Sequence, residues 1–198
     1  MLKVGITGGI GSGKSLVCRI LESLGYSVFY SDKESKLITI NDQEVRSALI
    51  ARYGHEVYNE YGVNKKLLSE QIFKNPDERL FVNSLIHPKV REAFEKFAGK
   101  SAKPLVFNEA AILFETGSYK AFDRTILVTA PEEIRIDRVI QRDNFTRASV
   151  QSRIDSQWKD EEKSELADGI IINDGVQPLI YLGKLLMMYK LGLEYIVL

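Results

Sequence analysis

The segment from Leu2 to Gly25 constrains this chain more than any other part of it. Leu2-Lys3-Val4-Gly5-Ile6-Thr7 is short and rich in β-branched residues, the pattern of a buried strand. Next comes Gly8-Gly9-Ile10-Gly11-Ser12-Gly13-Lys14-Ser15, which spells G-x-x-x-x-G-K-S. Beyond it Leu16, Val17, Ile20, Leu21 and Leu24 recur at helical spacing, and Gly25 closes the segment. Strand, glycine loop and helix in this order predict a phosphate-binding loop. Glycines leave no Cβ between backbone and phosphate. Consecutive N–H groups then point at the anion from the positive end of a helix dipole. In this reading Gly9, Ile10, Gly11, Ser12 and Gly13 cradle the nucleotide phosphates. Lys14 reaches the β- and γ-phosphates, and the Ser15 hydroxyl is the candidate Mg²⁺ ligand.

Strand signals recur along the chain between helical stretches, which predicts a parallel sheet wrapped by helices. The further strands are Ser27–Ser31, ending at Asp32, then Pro104–Glu109, Arg124–Thr129 and Gly169–Asn173. The long stretch from Lys33 to Lys103 has no convincing buried strand. It reads as helical over Glu44–Tyr53, Lys66–Lys74 and Asp77–Phe97. The last of these is expected to kink or break at His87-Pro88, because proline removes a donor and restricts the residue before it. An insertion of this size between core strands suggests a substrate-binding subdomain. Pro131 suits the first turn of a helix running to about Arg142, with Glu132 and Glu133 complementing its dipole. Asn144 to Lys163 is polar, with Thr146 a candidate N-cap, and could serve as a mobile lid. A closing helix is expected over Val176–Leu191.

Composition narrows the function classes. The 198 residues are 44% hydrophobic and 27% charged, ordinary for a soluble globular protein. Lys and Arg total 27, as do Asp and Glu, so no large basic field exists to recruit nucleic acid. The single cysteine, Cys18, cannot form an internal disulfide and falls among apolar helix positions as a small core residue. The first strand begins at Leu2, where a signal peptide would otherwise lie. No apolar run approaches the roughly 18 residues of a membrane span. A cytoplasmic chain without membrane partners is expected.

Several side chains are placed to act on a phosphoryl group. Asp32 follows the second strand, at the carboxyl edge where ligands bind in open parallel sheets. It could accept a proton from a substrate hydroxyl or hold a Mg²⁺ water, and it could equally cap a helix from Lys33. Arg138 and Arg142 lie one helical turn apart on one face, with Arg135 on a nearby face. Two guanidinium groups so placed can clamp the oxygens of a transferring phosphoryl group, or form a solvated face paired with Asp137 and Asp143. Glu109 ends the third strand and could act on Mg²⁺ through water, or be structural. His87 could touch a substrate phosphate or satisfy backbone groups freed by the proline. His55 carries no readable signal. No N-K-x-D for reading a guanine base and no Ser-His-Asp hydrolase pattern is present. These residues support phosphoryl transfer from a nucleotide to a small acceptor.

Taken in order, the motifs resemble those of the dephospho-coenzyme A kinases almost end to end. The matching segments are Gly5 to Ser15, Gly25 to Asp32, Leu85-Ile86-His87-Pro88, Ala111 to Glu115, Arg138 to Asp143, Arg153 to Gln157 and Ile172 to Gly175. The resemblance implies a P-loop NTPase-type, three-layer α/β fold with a parallel five-stranded sheet. It also implies a helical acceptor-binding insertion at about 33–103 and a lid at about 143–163. The implied reaction moves the ATP γ-phosphate to the ribose 3′-hydroxyl of dephospho-coenzyme A, with Mg²⁺ as cofactor, giving coenzyme A and ADP. The implied catalytic set is Lys14, Asp32 and Arg142. Arg138, Arg142 and Asn173 join the loop in holding ATP, and Asp32, His87 and Lys65 contact the acceptor. The chain departs from the family in places. Tyr30-Ser31-Asp32 stands where Asp-Ala-Asp is frequent, so any role of the first acid falls away. Lys65 stands where an arginine is common, which loses a planar fork of donors.

Overall fold

The computed structural model describes residues 1–176, and the helix expected over Val176–Leu191 lies outside them from residue 177 on. In chain order the elements are β1 (Leu2–Thr7), α1 (Lys14–Ser23), β2 (Ser27–Tyr30), α2 (Ser31–Asn41) and α3 (Gln43–Tyr53). Then come β3 (Tyr58–Asn59), β4 (Gly62–Val63), α4 (Lys65–Lys74), α5 (Pro76–Ala98) and β5 (Leu105–Glu109). The remainder are β6 (Arg124–Thr129), α6 (Glu132–Asp143), α7 (Arg147–Asp155), α8 (Asp160–Ser164) and β7 (Gly169–Ile172). Internal contacts group these into two compact units: Met1–Phe29 with the chain from Ser101 onward, and Tyr30–Lys100.

The first unit is built on a five-stranded sheet of order β2-β5-β1-β6-β7. β1 runs parallel to β5, with Ile6 opposite Glu109, and parallel to β6, with Thr7 opposite Leu127. β6 in turn pairs parallel with β7, Thr129 opposite Ile172. Strands covered on both faces are apolar along most of their length. Val4, Ile6, Val106, Phe107, Leu127 and Val128 accordingly have no exposed surface. All five expected sheet strands are present, two with the expected bounds and three shorter by one residue. From β1 the chain passes to one side for β2 and β5 and to the other for β6 and β7. The order therefore reverses at β1, and the crevice beyond its carboxyl end is where such sheets bind ligands. The loop after β1 opens into that position. Around it, Ile136 and Val139 of α6 and Val150 and Ile154 of α7 form a buried cluster on which Ile10 of the loop also packs. Thr146 caps α7 as expected, accepting from the Ser149 N–H at 3.3 Å. The polar stretch carries a second short helix, α8, which sequence reading did not separate from the first.

The second unit is helical around Val45, Leu49, Val57, Leu68, Val82 and Ile86. Two expectations are corrected here, the place of Asp32 and a break of the helix at Pro88. Helix α2 begins at Ser31 with Tyr30 as its N-cap residue, so Asp32 lies inside the first turn and neither ends the strand nor caps a helix from Lys33. The negative charges of Asp32 and Glu34 suit that position, because the helix dipole is positive there. A two-residue hairpin, β3 with β4, interrupts the helices; strands so short leave no readable period. Helix α5 also runs unbroken through Pro88. An interior proline costs about 3 kcal/mol, while each fully buried aliphatic side chain contributes about 1.5–3 kcal/mol. Val82 and Ile86 before the proline and Val90 after it pack into the same cluster. Their combined burial outweighs the proline and holds both halves in one helix.

Candidate active site

The glycine loop is held by its own backbone, by Arg135 of α6, by Gln157 in the turn after α7 and by Asn173 after β7. The Ser12 N–H donates to the Gly9 carbonyl at 3.2 Å, which closes the loop on itself. Gly13 precedes α1 in the left-handed region, φ 99° and ψ 18°, and no side chain caps the helix. No acidic side chain stands in the first turn of α1 either, so no carboxylate of its own competes with an anion at the positive end of its dipole. Lys14 bends back over the loop, its ammonium donating to the Gly8 carbonyl at 2.6 Å and to that of Gly9 at 3.4 Å. Ser15 is exposed on the same turn.

The backbone of Ile10 is held on both sides, through the two successive peptide groups that flank its Cα. Its N–H donates to Gln157 Oε1 at 2.9 Å, and its carbonyl accepts from Arg135 Nε at 2.9 Å. Arg135 is only 6% exposed. Its Nη1 lies 3.1 Å from Asp160 Oδ2, an oxygen that also accepts from the Thr129 hydroxyl. On the opposite flank, Asn173 Nδ2 donates to the Ser12 carbonyl at 2.9 Å. Asn173 is itself fixed, its N–H donating to Thr129 O at 2.8 Å and its carbonyl accepting from Arg138 Nη1 at 2.9 Å.

Of the residues singled out from the sequence, Gly9 to Ser15, Asn173 and Arg138 thus come together around the loop. Arg142 does not contact it. Its guanidinium makes a two-pronged pair with Asp143, at 2.8 and 2.7 Å, and the side chain is 62% exposed. That pairing raises the Arg142 pKa further above its ordinary value. Asp32, Lys65 and His87 belong to the second unit: Asp32 exposed in the first turn of α2, Lys65 exposed at the start of α4, His87 half-buried in α5. Burial first, then the charge of Arg91, lowers the pKa of His87. Cys18 is fully buried in α1. Burial, then Glu109 and Glu22, push its thiol up to about 12, so it is a core residue and not a nucleophile.

The sequence offered no signal for two features. Arg135 reads as a member of an arginine run on α6, and nothing in that run says that it turns inward under Ile10. Lys163 is fully buried, its ammonium 3.1 Å from Glu115 Oε1 across 48 residues of chain. Charge patterning along one helix cannot reveal such a pair. Among the described residues no group of three or more His, Cys, Asp or Glu side chains could hold a metal.

The model of one family, described as dephospho-CoA kinase, matches residues 2–178. A dephospho-CoA kinase of Bacteroides fragilis (strain YCH46) is 42% identical over 180 residues, covering 90% of this chain and 88% of that protein. Among solved structures, TT1252 from Thermus thermophilus superposes with a TM-score of 0.83 at 30% identity, covering 98% of each chain. A dephospho-CoA kinase from Campylobacter jejuni gives 0.66 at 26% identity, covering 96% of this chain and 98% of that one. Two sources of similarity, a match along nearly the whole sequence and a shared course of the backbone, therefore agree. The chain belongs to the dephospho-CoA kinase family.

Proposed function

We propose that this chain transfers the γ-phosphoryl group of ATP to the ribose 3′-hydroxyl of dephospho-coenzyme A, giving coenzyme A and ADP. The observation that carries this reading is the phosphate loop, gripped at Ile10 and Ser12, within a chain whose residues 2–178 match that family. In the reaction the 3′-oxygen bonds to the γ-phosphorus as the bond to the β–γ bridging oxygen breaks. The loop N–H groups and Lys14 neutralise charge on the phosphates, which accounts for most of the catalysis such transfers need. Asp32 orients the hydroxyl and takes its proton. Arg138 and Arg142 stabilise charge on the moving group, with the segment at about 143–163 acting as a lid that excludes competing water. Asn173 keeps the loop in shape for ATP, and His87 and Lys65 contact the acceptor from the helical insertion at about 33–103.

The donor set beside the loop fits Mg²⁺. Mg²⁺ prefers oxygen and completes its shell with water and substrate phosphates, so it needs no all-protein cage. The exposed Ser15 hydroxyl would hold it directly, with Glu109, at the carboxyl end of β5, acting through water. When bound it supplies positive charge at the β- and γ-phosphates. No helix among the described residues is long and apolar enough to cross a membrane. With no formal net charge, the chain suits small-molecule partners in the cytoplasm better than nucleic acid.

The test is ADP release from ATP, with and without dephospho-coenzyme A. Acceptor-dependent ADP that falls by roughly 10²–10³ in a folded Lys14→Ala variant is the expected result. ATP binding without acceptor-dependent ADP would overturn the assigned reaction.

A further inference from the structure

We propose that Arg135 is a positioning residue for the phosphoryl donor: it sets the shape of the phosphate loop through the Ile10 carbonyl, and it couples that loop to α8 through Asp160. This rests on the reading of the loop as the ATP site.

Three observations support it. Ile10 is held on both sides, Arg135 Nε of α6 on its carbonyl and Gln157 Oε1, in the turn after α7, on its N–H. The Gln157 bond holds the Gly9–Ile10 peptide and the Arg135 bond the Ile10–Gly11 peptide, so neither plane can rotate without breaking its hydrogen bond. The neighbouring N–H groups are then held in their directions before any anion arrives. Second, the guanidinium is embedded in the loop rather than laid against it. A Cβ at Gly9 would stand 2.1 Å from Arg135 Nη2, and one at Gly11 would stand 2.4 Å from the Arg135 carbonyl oxygen. Both glycines thus answer to Arg135 as well as to a phosphate. Third, the other end of the guanidinium engages Asp160, the first residue of α8, which Thr129 at the end of β6 also holds. Displacement of α8 would therefore pull on the loop. Arg135 is too buried to meet solvent ligands itself, so its action on the donor runs through the backbone of the loop.

Two substitutions separate this role from a merely structural ion pair. Gln has a donor nitrogen at the same distance along the side chain as Arg Nε. Arg135→Gln therefore keeps a donor for the Ile10 carbonyl and loses the pair with Asp160. Lys has a methylene at that position and a cation beyond it. Arg135→Lys therefore keeps a charge for Asp160 and leaves the Ile10 carbonyl without its partner. The measurements are the Kd for ATP without acceptor, by calorimetry, and Tm. Arg135→Lys should weaken ATP binding by about 10-fold or more with the smaller change in Tm. Arg135→Gln should bind ATP within about threefold of the parent with the larger change in Tm. KM for dephospho-coenzyme A should stay unchanged in both. Gln157→Ala, which releases the adjacent Gly9–Ile10 peptide through the Ile10 N–H, should reproduce the Arg135→Lys loss in ATP affinity. If ATP affinity instead follows Tm, with Lys the better replacement, Arg135 is only a partner for Asp160 and the proposal is wrong. Unchanged ATP affinity in Gln157→Ala would also overturn it. Parent protein that binds no ATP would overturn both this and the loop reading. Parent protein that binds ATP but releases no acceptor-dependent ADP would overturn the assigned reaction alone.

Discussion

Replacing Gly13 by alanine should damage the loop by two separable routes. Gly13 holds φ 99° and ψ 18°, a left-handed conformation that costs an L-residue about 1–2 kcal/mol. A Cβ there would also stand 2.0 Å from Asn173 Nδ2. That amide has little freedom to retreat, since it donates to Ser12 O while its own backbone is tied to Thr129 and Arg138. Displacing it breaks a buried hydrogen bond, at about 1–3 kcal/mol. The sum is about 2–5 kcal/mol. At about 2–4 °C per kcal/mol for a chain of this size, Tm should fall by roughly 4–20 °C. Gly117 supplies the control. It is also left-handed, φ 69° and ψ 7°, but no atom lies within 4 Å of a Cβ built on it. Gly117→Ala should therefore show the backbone cost alone, roughly 2–8 °C. In an Asn173→Ala background the clash is gone, because the nearest remaining atom, Asn173 Cβ, is 3.9 Å away. There the cost of Gly13→Ala should shrink to that of Gly117→Ala, a coupling of about 1–3 kcal/mol in the double-mutant cycle. Thermal unfolding followed by circular dichroism reads all four variants. Additive effects of Gly13→Ala and Asn173→Ala would refute the argument, since they would mean that Asn173 does not meet the loop where its amide is placed.

Three further outcomes follow from the site and its surroundings. Asp32→Asn should lower kcat by about 10²–10⁴, the range of acid–base assistance, with ATP affinity little changed; a lowered Tm with kcat intact would reduce Asp32 to a favourable charge in the first turn of α2. Arg142→Lys and Arg138→Lys keep charge but lose the planar fork, so steady-state kinetics should show a fall in kcat. An exposed pair such as Arg142–Asp143 contributes only about 0–1 kcal/mol to stability, and unchanged kcat in both variants would leave charge stabilisation to Lys14 and the metal. His87 titrates below its ordinary value of 6.5 in the folded chain, so the unfolded chain binds the extra proton first as pH falls. Its share of stability is present above about pH 6.5 and is lost as pH drops toward the lowered value. His87→Gln should flatten the dependence of Tm on pH between about pH 7 and pH 5, and an unaltered slope would refute this.

The sequence alone determined the sheet and the chemistry at its centre. Buried parallel strands are apolar along most of their length, and glycines followed by Lys and Ser serve few purposes other than phosphate binding. Both are local properties of consecutive residues, and the five strands, the loop and the Thr146 cap were legible for that reason. The start of α2 and the continuity of α5 were not. Whether Pro88 breaks a helix depends on what Val82, Ile86 and Val90 pack against, and no window of sequence contains that cluster. The supports of the loop were hidden for the same reason. Arg135 lies 125 residues from Ile10 and Asn173 lies 161 from Ser12. Local periodicity places Arg135 and Arg138 on one helix but cannot tell which guanidinium turns inward. Tertiary packing made that choice: Arg135 is buried against Asp160 and the loop, while Arg142 stays in solvent beside Asp143. The side-chain types that meet a phosphate can be read from neighbouring residues, but the hydrogen bonds that hold the loop in shape form only once distant segments are folded together.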